Sequence, residues 1–102
     1  MSVAVLLHGG ALARRAALAE ALRKAPMLDV RIRLSSRAAE AAKCLADPAV
    51  RAVLLIDEPL DADAVRAACA ARGLHSRVYD LQPRDGGEIV VGLVRSLLAN
   101  AS

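Results

Sequence analysis

Two stretches of this chain are apolar almost without a break, and they limit the fold more than anything else in it. "SVAVLL" runs from Ser2 to Leu7 and "AVLLID" from Ala52 to Asp57. A strand with one wet face alternates apolar and polar residues. A strand covered on both faces reads as a continuous apolar run. Between them, "DVRIRL" from Asp29 to Leu34 alternates strictly, with Val30, Ile32 and Leu34 on one side and Asp29, Arg31 and Arg33 on the other. A fourth stretch, "RVYDL" from Arg77 to Leu81, mixes charge into its length. The first and third strands therefore belong inside a sheet and the second and fourth at its edges.

The segments between them carry helical spacing. An alanine- and leucine-rich helix is expected from Ala11 to about Ala25, ended by Pro26. Ser35 and Ser36 read as N-caps for a helix over Arg37 to Ala46, which Asp47-Pro48 breaks. Asp61 reads as the cap of a helix from Ala62 to Arg72, with Gly73 at the left-handed position after it. The last helix, Glu88 to Leu98, is apolar at 89, 90, 91, 93, 94, 97 and 98, a wider face than packing on a sheet alone requires. Either a neighbouring helix or a partner chain must cover the excess.

Strands alternating with helices define βαβ units and a parallel sheet. The predicted fold is one three-layer, flavodoxin- or receiver-like α/β domain over residues 1–102. Its four-stranded parallel sheet has order 2-1-3-4, with helices on both faces and right-handed crossovers. The order reverses between strands one and three, where open α/β sheets place their ligands. His8, Gly9 and Gly10 follow strand one there, and Asp57 and Glu58 follow strand three, with Gln82 and Pro83 close by at the end of strand four.

Each has a plain structural reading and a chemical one. Asp57 and Glu58 could simply face water at a strand end, or supply a carboxylate to a site. His8 could be a polar residue where the chain leaves the core, or a phosphoryl acceptor or acid–base group. The Gly9-Gly10 turn enters a helix whose N-terminus offers free N–H groups to an anion, with Arg14 and Arg15 nearby. It matches neither common phosphate-loop spacing.

Composition excludes several classes. The apolar fraction is 56%, and 23 of the 102 residues are alanine. Tyr79 is the one aromatic, so the core must be aliphatic, and neither base stacking nor a flavin platform is available. Net charge is +3, and the twelve arginines are interleaved with acids, so no direct nucleic-acid binding is expected. No run reaches the ~18–20 apolar residues that span a bilayer. The N-terminus lacks the pattern of a signal peptide. Cys44 and Cys69 fall on helical patterns without metal or C-x-x-C spacing, as free thiols of a cytoplasmic protein.

The layout resembles the receiver domain of bacterial response regulators. "SVAVLLHGGALARRAALAEALRKAPMLDVRIRLSSRAAEAA" is similar to the receiver's first strand through the turn into its second helix. "AVRAVLLID" is similar to the segment ending in the phosphate-accepting aspartate, which places Asp57 at that position. "RVYDLQPRDGGEIVVGLVRSLL" is similar to the final strand, proline-containing turn and helix. The machinery around that aspartate differs. His8 and Gly9 replace the Mg²⁺-holding acidic pair, Gln82 replaces the lysine before the proline, and "EPLDADAV" follows Asp57 in place of an Asp-Gly pattern. One βα unit of five is also lacking. The resemblance implies a shortened pseudo-receiver: a non-catalytic regulatory domain of signal transduction or transcription regulation, without metal or cofactor, acting by protein–protein interaction as a homodimer. The alternative is a small phosphocarrier of the sugar phosphotransferase type, in which a residue just after the first strand takes the phosphoryl group. His8 would be that residue.

Overall fold

The computed structural model describes residues 3–99. Its elements run β1 (Val3–Gly9), α1 (Leu12–Lys24), β2 (Val30–Ser35), α2 (Ala38–Leu45), β3 (Val50–Ile56), α3 (Ala62–Ala71), a 3₁₀ turn (His75–Arg77), β4 (Val78–Leu81) and α4 (Gly87–Ala99). All pairings are parallel and the strand order is β2-β1-β3-β4, as the apolar pattern requires. Ser2, expected at the start of the first strand, lies outside the described residues.

Alternation along the two central strands divides the core into two layers. Ala4 and Leu6 of β1, with Val53 and Leu55 of β3, pack against Ala41, Cys44 and Leu45 of α2 and Val65 and Cys69 of α3. Val5 and Leu7, with Ala52, Leu54 and Ile56, pack against Leu18, Ala19 and Leu22 of α1 and Val90 and Val94 of α4. Both cysteines are free and buried in the first layer. Burial holds the Cys69 thiol above its ordinary range, which makes it an apolar filler. No described helix is long and apolar enough to cross a membrane.

The wide apolar face of α4 has a cover within the chain. Val91, Leu93, Leu97 and Leu98 pack on the second layer beside α1, and Ile89 is the large apolar residue of α4 left half-exposed. The two helices approach closely at their small residues: a Cβ added to Gly87 would stand 2.8 Å from that of Ala21.

Two expected caps are absent. The N-cap position of α2 is Arg37 rather than a serine. The strand runs on one residue further than the alternating pattern suggests, and Ser35 ends β2 as the register partner of His8. Glu40 caps this helix from within, its Oε1 accepting from the backbone N–H groups of Ser36 and Arg37 and from the Ser36 hydroxyl. Asp61 does stand at the N-cap of α3, but its side chain makes no cap hydrogen bond. Gly73, in contrast, is left-handed (φ 74°) and its N–H bonds the Ala70 carbonyl, as expected.

The turn from β1 into α1 needs its two glycines. Gly9 (φ 92°) and Gly10 (φ 67°) are both left-handed. A Cβ on Gly9 would stand 2.4 Å from Pro59 Cγ, and one on Gly10 2.6 Å from Ile56 Cγ2. Strain and overpacking therefore add, and Gly10→Ala should lose about 2 kcal/mol or more in urea unfolding. Gly92, exposed inside α4 with nothing within 4 Å of an added Cβ, should gain about 0.5–1 kcal/mol as Ala. Equal effects at the two positions would contradict this account of the turn.

Candidate functional site

The carboxyl end of β1 carries the buried ionisable side chain that most needs explanation. His8 points to the same side of the sheet as Ala4 and Leu6, toward α2 and α3, and has no exposed surface. A buried imidazole left without partners costs about 1–3 kcal/mol for each unsatisfied nitrogen. Here both are satisfied. Nδ1 lies 2.7 Å from Ser35 Oγ, and Nε2 lies 2.8 Å from Asp61 Oδ1. Ser35 is supplied by the neighbouring strand in register, and Asp61 by the N-terminus of α3.

The protons in this trio follow from what each group can do. The Asp61 carboxyl is held below its ordinary value of 3.8, chiefly by the hydrogen bond from His8 and against desolvation. The backbone N–H groups of Ala38, at the start of α2, and of Asp61 itself act in the same direction. As a carboxylate Asp61 only accepts, so His8 Nε2 is the donor to it. In the neutral ring Nδ1 then holds the lone pair, and the Ser35 hydroxyl donates to it. A serine, a histidine and a carboxylate in this chain of hydrogen bonds can move a proton from the hydroxyl onto the ring while the carboxylate stabilises the imidazolium.

Two hollows adjoin the trio and meet at Ser36. One, of about 300 Å³, is lined by Gly9, Gly10, Ser36, Pro59, Leu60 and Asp61. The other, of about 110 Å³, is lined by Leu12, Arg15, Leu34, Ser35, Ser36 and Glu40. The Gly9-Gly10 turn does not offer its carbonyls to a ligand: Arg15 Nη1 donates to Gly9 O at 3.0 Å and to Gly10 O at 2.6 Å.

Asp57 makes its side-chain contacts away from His8, at a left-handed stretch of backbone that ends β3. Asp57 (φ 55°) and Glu58 (φ 51°) are both left-handed non-glycine residues, a strained arrangement costing on the order of 1–3 kcal/mol at each. Asp57 is turned toward α1, where Arg14 Nε donates to Oδ2 at 3.1 Å and Nη2 to Oδ1 at 3.2 Å. Arg14 also donates to Gln82 O at 2.8 Å and Asp85 O at 2.7 Å. Asp57 thus serves in a clamp joining α1, the end of β3 and the loop before α4, while His8 belongs to the opposite layer. Gln82 contributes its carbonyl to that clamp, and its N–H donates to Asp85 Oδ2. Pro83 is trans and exposed, and Glu58 is exposed.

The sequence points to His8, Gly9 and Gly10, with Arg14 and Arg15 as charge near the turn, but not to Ser35 and Asp61 as the partners of His8. The serine and aspartate were assigned to helix capping, a role their residue types fit equally well. The available signal was the parity of the strands. With β1 and β2 paired in parallel, the residue ending each on the α2 side is His8 and Ser35.

No family model matches this chain, and no curated protein matches it. Among solved structures it matches the lactose-specific IIB component domain of the phosphoenolpyruvate:carbohydrate phosphotransferase system from Streptococcus pneumoniae. The TM-score is 0.62, the identity 14%, and the match covers 100% of both chains. At that identity the likeness is one of fold. It nevertheless overturns the expectation of a non-catalytic chain. That expectation rested on a receiver-like architecture stripped of its machinery, and the matched architecture is that of a phosphotransferase component.

Acid sensitivity provides a check on the trio. Asp61 titrates lower in the folded than in the unfolded chain. Its contribution is complete above the unfolded value and is lost as pH falls through the folded one, below about pH 4. Asp61→Asn should reduce stability at pH 7 by about 1.5–3 kcal/mol, the range for a hydrogen bond to a charged group. It should also flatten the decline in stability between about pH 4 and pH 2. Some decline remains, because Asp47 is also held low, first by the Ala49 N–H and then by Arg31 and Arg33. An unchanged acid limb in urea unfolding at stepped pH would contradict the assigned contact.

Proposed function

We propose that this chain is a phosphoryl-transfer component, a small phosphocarrier of the sugar phosphotransferase type, whose chemistry depends on His8. The observation that carries this reading is the hydrogen-bonded set Ser35–His8–Asp61 at the carboxyl end of β1, beside two open hollows. The place is the switch point of the sheet, where ligands of open α/β folds bind. Support also comes from the full-length likeness in fold to a phosphotransferase IIB domain. Asp57, the other candidate acceptor, has its carboxylate occupied by Arg14 and is left out of this reading.

Within it, Asp61 fixes the Nε2 proton and the ring orientation, and the imidazole handles the proton that phosphoryl transfer displaces. A positioned general base of this kind contributes typically about 10²–10⁴-fold.

The test is incubation of the full chain with a phosphoenolpyruvate-driven donor system, followed by intact-mass measurement under neutral conditions. One added phosphoryl group is expected, and it should be lost in His8→Gln, with circular dichroism confirming that the variant is folded. Unchanged mass in the presence of a competent donor would rule the proposal out.

A further inference from the structure

The proposed phosphoryl transfer leaves open which atom forms the new bond, and the hollow of about 110 Å³ beside β2 answers it. We infer that Ser35 Oγ is the atom that takes the phosphoryl group, with His8 as its base and Arg15 as the cation that holds the phosphoryl oxygens. This rests on the phosphoryl-transfer reading and goes further by naming the acceptor and the anion subsite.

Three observations carry it. First, the ring nitrogen with a free lone pair faces Ser35. Nε2 is committed to Asp61, and His8 is sealed from solvent, so a donor would have to displace Asp61 to reach that nitrogen. Nδ1 instead lies 2.7 Å from Ser35 Oγ, the distance a general base needs. Second, Ser35 is one of the residues lining the hollow, whereas His8 lines neither hollow. Third, Arg15 lines the same hollow and has donors to spare. Its residue is 9% exposed, and Nη1 alone is used, on the carbonyls of Gly9 and Gly10. Among the described residues neither Nε nor Nη2 has a hydrogen-bond partner. A guanidinium anchored through one nitrogen, on a residue that lines the same hollow as Ser35 and Ser36, suits an approaching phosphoryl group.

The other groups there are compatible. Ser36 offers a second hydroxyl. Glu40 lines the hollow too, but its Oε1 is spent on the N–H groups of Ser36 and Arg37 and on the Ser36 hydroxyl, which draws its charge toward the start of α2. Leu12 and Leu34, both exposed, supply apolar lining to the same hollow.

The step balances with a donor that brings its own leaving group, such as a phosphoramidate. Ser35 Oγ attacks phosphorus and its proton passes to His8 Nδ1. The donor nitrogen enters already protonated, so when the P–N bond breaks the neutral amine departs with the bonding pair, and an imidazolium remains, facing the Asp61 carboxylate. On discharge an acceptor hydroxyl attacks phosphorus, the bond to Ser35 Oγ breaks as the imidazolium returns its proton to that oxygen, and the acceptor's own proton passes to solvent.

The two candidate acceptors give chemically different products, which makes the test decisive. Phosphoserine survives acid and is lost in alkali; phosphohistidine survives alkali and is lost in acid. The full chain would be treated with phosphoramidate, and in parallel with acetyl phosphate and an alkyl fluorophosphonate. The adducts would be followed by intact mass after acid or alkaline treatment and located by peptide mapping. The expected result is one acid-stable phosphoryl group on Ser35, a fluorophosphonate adduct on the same residue, and loss of both in Ser35→Ala. His8→Gln should slow labelling at least about 100-fold, as removal of a general base does. Because the site is mapped in the unaltered protein, the result does not depend on the variants folding. An acid-labile adduct on His8 would overturn the serine assignment while leaving the phosphocarrier reading in place. Absence of any adduct on either residue would overturn both.

Discussion

A fully buried imidazole must satisfy two nitrogens, and the carboxyl end of the sheet is organised around how His8 does so. β1 is apolar until its last two residues and lies between β2 and β3 with helices on both faces. Its final polar side chain therefore has no route to water. Its partners must come from the elements that meet it there. β2 brings Ser35 alongside in register, and the loop after β3 brings Asp61. Losing either would strand a ring nitrogen at a cost of about 1–3 kcal/mol, a large share of the roughly 5–15 kcal/mol that keeps a domain folded. The trio is thus held together by folding itself and is in place before any ligand arrives.

The same geometry decides what surrounds it. Gly9 and Gly10 must turn left-handed so that α1 can start over the sheet, and that turn presents their carbonyls to Arg15. The strained backbone at Asp57 and Glu58 sends one carboxylate to Arg14 on the far side of the sheet, and the chain then passes over Gly9 at Pro59 on its way to Asp61. Two arginines adjacent in sequence therefore hold different partners. Arg14 is structural, saturated by Asp57, Gln82 and Asp85. Among the described residues Arg15 is hydrogen-bonded through Nη1 alone.

The architecture was largely legible in the sequence, because burial on two faces and burial on one leave different patterns. The apolar runs in β1 and β3 and the charges in β2 and β4 gave the strand order directly, and Gly73 was recognisable from its place after α3. The site was harder to read. Asp57 follows an apolar strand at the switch point, and nothing in its letters tells of a left-handed turn away from His8. Ser35 and Asp61 have the residue types of helix caps, and only the pairing of strands, a long-range fact, shows that they share a histidine. The likeness to receivers rested on the order of elements, whereas His8, Ser35 and Asp61 are brought together only by tertiary contact.

The central claim is a statement about protons on one ring, and nitrogen-15 NMR of the His8 side chain tests it most directly. In slightly alkaline solution the account predicts a single, slowly exchanging Nε2–H tautomer, with the Nδ1 resonance at the position of a hydrogen-bond acceptor. In Ser35→Ala the Nδ1 resonance should move toward that of a free lone pair. A ring protonated on Nδ1, or one averaging between tautomers as an exposed imidazole does, would contradict the hydrogen-bonded trio and the chemistry assigned to it.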